Sequence, residues 1–291
     1  MFNPSREAAC LSVGQCATLA CLLEASVAKP GNVHPGAEFA DLSFRDFVLS
    51  AVAIGPAMDG ASTSGVGTAV LAAVRATRSV VPTNTNLGTV LLLAPLASVP
   101  RDRSLRAGVR DVLAAMTAAD AAAVYDAIRL TRPGGLGTVR DMDVAGHPPE
   151  TLLLAMQAAA DRDMVARQYV TDFSAVFDEV VAELAQGAVV RQWPLAAAVI
   201  HVQMQLLQRF PDSLIARKCG PRVAEEAAMR AARVLASGQP GEAGYAAALA
   251  EFDVWLRADQ HRRNPGTTAD LIAAGLFVAL RDKILKPPFR P

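Results

Sequence analysis

Apolar residues recur at helical spacing along nearly the whole chain, and turn-forming residues interrupt them at regular intervals. The pattern predicts helices over residues 5–27, 44–55, 63–77, 87–97, 104–119, 121–130, 150–169, 172–186, 195–209, 223–237, 244–256 and 268–284. Ser43 followed by Asp46 reads as a capping box opening the second of these. No segment alternates with the period of two that a half-buried strand requires, and no repeat of about 20–50 residues is visible. The longest interruption is glycine-rich, Gly134-Gly135-Leu136-Gly137, and continues to Pro148-Pro149. It gives a weak subdivision near residues 131–150 of what otherwise reads as a single domain, 1–291. The tail from Lys286, with three prolines, is expected to be extended.

Composition agrees with an all-α, single compact multi-helix bundle whose interhelical turns carry the chemistry. Hydrophobic types make up 52% of the 291 residues but aromatics only 5%, so alanine and aliphatics dominate. Alanine is the strongest helix former. The 28 basic and 28 acidic side chains cancel, which removes the basic surplus expected of a nucleic-acid binder and the high net charge expected of a disordered chain. Neutrality and a high apolar fraction also fit a homo-oligomer.

Two uncharged stretches bear on location. Residues 8–23 lead to Ser26-Val27-Ala28, which resembles a signal-peptidase site, but Arg6 stands beside Glu7 and Gln15 interrupts the apolar run. Residues 79–100 carry Pro82, Asn84, Asn86, Pro95 and Pro100, which predict a turn and a short buried helix rather than a membrane span. Cys10, Cys16, Cys21 and Cys219 form no C-x-x-C pair. On one helix Cys10 and Cys21 would lie about 16 Å apart along the axis, too far for a disulfide. Reduced thiols in a cytoplasmic protein are therefore expected.

Four turns carry more polar chemistry than a turn needs. Glu24 closes the first helix, where the macrodipole disfavours an acid, and Lys29-Pro30-Gly31-Asn32 follows. Asn84-Thr85-Asn86-Leu87-Gly88 opens the fourth helix and sets several donors at a helix N-terminus, a natural anion site. Asp212 precedes Arg217-Lys218, an acid and two bases suited to a cation and a phosphate. Asn264-Pro265-Gly266 starts the last helix, with Asp270 in its first turn. Each also has a plain reading, as a helix stop, a cap, a surface ion pair or a dipole-favoured acid.

In this order the four turns resemble the triphosphoribosyl-dephospho-CoA synthase family, which makes the prosthetic-group precursor of citrate lyase and malonate decarboxylase. The Lys-Pro-Gly-x-Val turn after a glutamate is met by Glu24 and residues 29–33. The Asn-Thr-His-Lys-Gly turn is met by residues 84–88, with Asn86 and Leu87 where the family has His and Lys. The third segment is met by Asp212-Ser213 and Arg217, and the Pro-Gly-x-x-Ala-Asp-Leu helix start by residues 265–271. Those departures and the glycine-rich loop are similar to a divergent branch, of the kind linked to pterin C1-carrier cofactors. Cleavage after Ala28 would split the first motif, so the resemblance also argues against export.

The resemblance implies an all-α fold and a pentosyltransferase that moves the triphosphoribosyl group of ATP to dephospho-CoA, releasing adenine. It implies Mg²⁺ as cofactor, with ATP as substrate and a coenzyme-like acceptor as the second small-molecule partner; nucleic acid and membrane are not expected partners. Glu24, Asp212 and Asp270 become candidates for catalysis and for metal ligation, with the two duties unapportioned. Lys29, Gly31, Asn32, Asn84, Thr85, Asn86, Gly88, Arg217, Asn264 and Gly266 become substrate-binding candidates, Lys29 and Arg217 for the phosphates. Two other readings stand beside it: a transferase of the same fold acting on a pterin C1 carrier, and a non-catalytic helical nucleotide-binding protein.

Overall fold

Ser12 and Ser43 each open a helix with a capping box, and these two helices begin the bundle. The computed structural model describes residues 11–131, 133 and 142–289. Every regular element among them is helical, apart from two isolated bridges, His34–Ala37 and Phe39–Leu42. In chain order these are α1 (Val13–Ser26), α2 (Phe44–Asp59), α3 (Ala61–Ser64), α4 (Val66–Val80), α5 (Leu87–Ala97), α6 (Leu105–Ala114), α7 (Ala118–Thr131) and α8 (Leu152–Ala159). There follow α9 (Met164–Val170), α10 (Ala182–Leu184), α11 (Leu195–Arg209), α12 (Ser213–Cys219), α13 (Pro221–Ala236), α14 (Ala243–Arg257) and α15 (Gly266–Arg281). Two π-helical turns, Val176–Val181 and Ala185–Val190, flank α10. The glycine-rich stretch at 134–137 lies outside the described residues, as does Cys10.

Most differences from the expected helices have a local cause. Pro56 sits inside α2 rather than ending it, and α2 runs on to Asp59, whose carboxylate accepts the Gly14 amide at 2.7 Å. The expected helix 63–77 is broken at Gly65, whose φ of 84° separates α3 from α4. The expected helix 150–169 is divided because Asp163 caps a new helix, accepting the amides of Val165 and Ala166. The polar turn after Asp212 is itself a short helix, α12, capped by Asp212.

The bundle is organised around α5 and α15, which are apolar nearly all round and therefore interior. Leu92, Leu93, Leu276 and Phe277 are completely buried in the main cluster, which draws on helices from α1 to α15. Truncating Phe277 to Ala would cost about 3–5 kcal/mol. A second cluster, including Leu207, Ile215, Phe252 and Leu256, joins α11, α12, α13 and α14. Helices α1 and α2 touch backbone to backbone, since a Cβ on Gly14 would overlap the Gly55 carbonyl oxygen. No described helix is long and apolar enough to cross a membrane.

Candidate active site

A cavity of about 1690 Å³ opens among the ends of these helices. Glu24 in the last turn of α1 and Asp270 near the start of α15, beyond its first turn, both border it. Arg162, Arg167, Arg209, Arg217, Lys218 and Arg262 border it from the other elements. The cavity lining thus brings the Glu24 and Asp270 carboxylates together with further acids and several cations.

Asp270 is held by α5. Thr89 donates its hydroxyl to Asp270 Oδ1 at 2.6 Å. Beside it Gly88 leaves room for the carboxylate, because a Cβ there would lie 2.7 Å from Asp270 Cγ. Burial pushes the Asp270 carboxyl up to about 8; the Thr89 hydrogen bond opposes this, while the charges of Glu24, Asp212 and Asp163 add to it. Asp270 thus borders the cavity with a proton that it retains near neutral pH. Cys21, one turn before Glu24, also borders the cavity, and burial pushes its thiol far above the normal range, so it is inert as a nucleophile.

Lys29 does not face the cavity. It is fully buried, pairs with Glu24 Oε1 at 2.8 Å and donates to the Glu24 backbone carbonyl as well. The expected phosphate ligand is therefore a clamp on a carboxylate: its ammonium is already engaged by the residue it follows by one turn. The rest of that turn is held from several sides. Gly31 donates its amide to Asp253 at 2.7 Å, and Arg257 both pairs with Asp253 and donates to the Asn32 carbonyl at 2.6 Å. Asn32 donates to Asn264 Oδ1 at 2.7 Å, and both asparagines border the cavity.

Asp212 requires a correction of a different kind. It is buried, and it is absent from the cavity lining. One oxygen accepts the amides of Leu214 and Ile215, at 2.9 and 3.0 Å. The other accepts the Thr268 amide and hydroxyl, at 2.8 and 2.7 Å. A carboxylate has about four acceptor positions, and all are taken, so Asp212 staples α12 to α15 and has none left for a metal. Burial raises its pKa even against those bonds.

The remaining candidates border the cavity. Asn84, Thr85, Asn86 and Gly88 line one wall. Asn84 accepts the Leu87 amide at 3.2 Å, Thr85 shares a 2.6 Å hydrogen bond with Ser50, and Asn86 donates to Thr77 at 3.1 Å. Gly266 lines the opposite side, packed against Leu214. Arg217 also borders the cavity, pairing with Asp163 at 3.2 Å, while its Nε is buried without a partner. Asp163, Thr89, Gln203 and Asp253 were not singled out from the sequence. Asp163 follows two charged residues and looks like part of a solvated run, and nothing local marks the other three.

Among the described residues no group of three or more His, Cys, Asp or Glu side chains is gathered to hold a metal ion. Glu24 and Asp270 fit a Mg²⁺ ion in a more restricted way, since Mg²⁺ is commonly bound by one or two carboxylates, water and substrate phosphates.

Among the described residues, an all-helical body whose cavity is lined by acids and several arginines is suited to a polyanionic small molecule, and this defines the class as a binder of such molecules. The family is definite: the chain belongs to the ATP:dephospho-CoA triphosphoribosyl transferases (CitG), whose family model matches residues 10–289. Among solved structures it is similar to an Archaeoglobus fulgidus protein provisionally described as a triphosphoribosyl-dephospho-CoA synthase. The two share 26% identity and a TM-score of 0.63, over 80% of this chain and 97% of the other. A search of curated proteins gave no match.

Proposed function

We propose that this chain transfers the triphosphoribosyl group of ATP to a hydroxyl of dephospho-CoA. The bond from the ribose anomeric carbon to the adenine nitrogen breaks, and a bond from that carbon to the acceptor oxygen forms. The proton lost by the hydroxyl balances the one taken up by departing adenine. The observation that carries this reading is the family match over residues 10–289, joined to a cavity with carboxylates and cations placed for such a substrate.

In this reading the cavity arginines, with the partnerless Arg217 Nε, take the triphosphate. Asn84, Asn86 and Asn264 supply further contacts from the cavity walls. Glu24 and Asp270 hold Mg²⁺, which would supply charge neutralisation for the phosphates. With no ion bound, Asp270, pushed up to about 8, keeps a proton at neutral pH and is matched to donating one, as departing adenine requires. The cytoplasm suits Cys16, Cys21 and Cys219, which form no disulfide.

One observation favours a second acceptor. Where related enzymes carry His and Lys, Asn86 is tied to Thr77 and Leu87 is buried, so this wall presents no titratable group at those two positions. A pterin C1-carrier precursor is the alternative acceptor. The test is adenine release from Mg-ATP, followed by chromatography, with and without dephospho-CoA. Acceptor-dependent adenine supports the first reading. Tight Mg-ATP binding without adenine release on adding dephospho-CoA overturns it and leaves the alternative acceptor.

A further inference from the structure

A chain of three side-chain amides leads from the buried core to the cavity. Gln203, on α11, is completely buried and does not line the cavity. Its Nε2 donates to the Pro30 carbonyl at 2.9 Å and to Asn32 Oδ1 at 3.0 Å. Asn32 Nδ2 in turn donates to Asn264 Oδ1 at 2.7 Å.

The direction of this chain follows from its first link. A backbone carbonyl only accepts, so Gln203 must turn its NH₂ towards Pro30. That NH₂ then also faces Asn32, which must answer with its oxygen. Asn32 is left with its NH₂ towards Asn264, and Asn264 must answer with its own oxygen. The Asn264 NH₂ then has only one place to go. Asn264 borders the cavity, and its Nδ2 donates to no atom among the described residues. The polarity has a cost: Gln203 Oε1 is buried without a partner. A flipped Gln203 would set oxygen against the Pro30 carbonyl oxygen.

We infer that Gln203 is a positioning residue that, through Asn32, locks the Asn264 amide as a donor aimed at a phosphate oxygen of the bound nucleotide. This rests on the proposed function for its ligand, though the direction of the relay does not. Lys218 and Arg262 border the same cavity, so an acceptor-bearing anion is the chemistry that suits a donor there.

Inorganic tripolyphosphate, titrated calorimetrically into the full chain, is the probe. Asn264→Ala removes the donor and is expected to weaken binding about 10-fold or more, the worth of a hydrogen bond to a charged group. Gln203→Glu inverts the relay. A buried glutamic acid donates its one O–H to Pro30 and accepts from Asn32, so Asn32 and Asn264 both turn and an oxygen faces the ligand. Its expected loss matches that of Asn264→Ala, and the double variant shows no further loss. Gln203→Met removes the lock without inverting it and is expected to cost only about twofold, since binding can still select the donor orientation. A residue acting only through packing would give losses that add in the double variant, and that result overturns the inference.

Side-chain amide exchange by NMR reads the relay with no ligand at all and covers the case in which Gln203→Glu fails to fold. The Gln203 and Asn32 NH₂ groups are expected to be protected and the Asn264 NH₂ open to solvent. A protected Asn264 NH₂ in the free chain overturns the relay whatever binds. Absence of tripolyphosphate binding by the unmodified chain, with the exchange pattern intact, overturns the phosphate assignment and the proposed function instead.

Discussion

Gly88 stands directly against the carboxylate of Asp270, so close that any side chain at 88 would occupy the place of Asp270 Oδ2. The contact couples the N-terminus of α5 to the N-terminal part of α15. Gly88→Ala should therefore displace the acid rather than merely crowd it. A displacement of about 1 Å at a reacting group can cost about 100-fold in rate. Adenine release should fall by that order in the variant, while thermal unfolding shows whether the fold survives.

The raised pKa of Asp270 makes a signed prediction for stability. In the unfolded chain the carboxyl ionises near 3.8, and in the native state near 8. Between these values the native state holds a proton that the unfolded state has released, so stability declines as pH rises through this window. Asp270→Asn should remove that decline, and urea midpoints at pH 5 and pH 8.5 would converge in the variant. Loss of the difference between the two proteins at high pH would contradict the burial of this acid.

Metal binding predicts the reverse dependence. A divalent cation between Glu24 and Asp270 would draw the proton from Asp270, so added Mg²⁺ should raise the unfolding temperature more at pH 8.5 than at pH 5.5. Glu24→Gln or Asp270→Asn should abolish the increment. Asp212→Asn should leave it in place, because all four acceptor positions of Asp212 are engaged inside the protein.

Asp212 is expected to matter for stability. Asp212→Ala removes the cap of α12 and the tether to Thr268, which together contribute about 2–4 kcal/mol. Chemical denaturation would measure it.

The pair formed by Lys29 and Glu24 offers a sharper contrast with a phosphate-binding lysine. Lys29→Met strands a carboxylate beside buried surface, and breaking such a pair costs about 3–5 kcal/mol. Lys29→Met combined with Glu24→Gln should recover much of that loss. A phosphate-binding lysine at the surface would show little change in stability in either background.

The helices were legible because burial imposes the 3.6-residue period directly on the sequence, and α5 and α11 agree with their expected bounds of 87–97 and 195–209. The divided segment at Asp163 was not, since it carries no glycine or proline break, and the seven-residue α12, though bracketed by Pro211 and Gly220, was not because a short capped helix resembles a polar turn. Residues of all four turns border the cavity, yet three of their members play other parts than expected. Lys29 turns inward to a partner five residues earlier, Gly31 is held by a residue of α14, and Asp212 is saturated by amides on two helices. Direction of a side chain is decided by neighbours that are distant in sequence, and one chain alone does not reveal them. Gln203 is the extreme case, a polar residue in the middle of a helix with no local motif.

The contact between Gly14 and the backbone of Gly55 reaches the site as well. Ten residues of helix separate Gly14 from Glu24, a distance of about 15 Å along the axis. The interlock of two glycines at one end of α1 therefore acts as a ruler for its other end: it sets how far into the cavity the helix delivers its glutamate. A methyl group added at Gly14 would shift the zero of that ruler, and the carboxylate would be misplaced by a change that never comes near it.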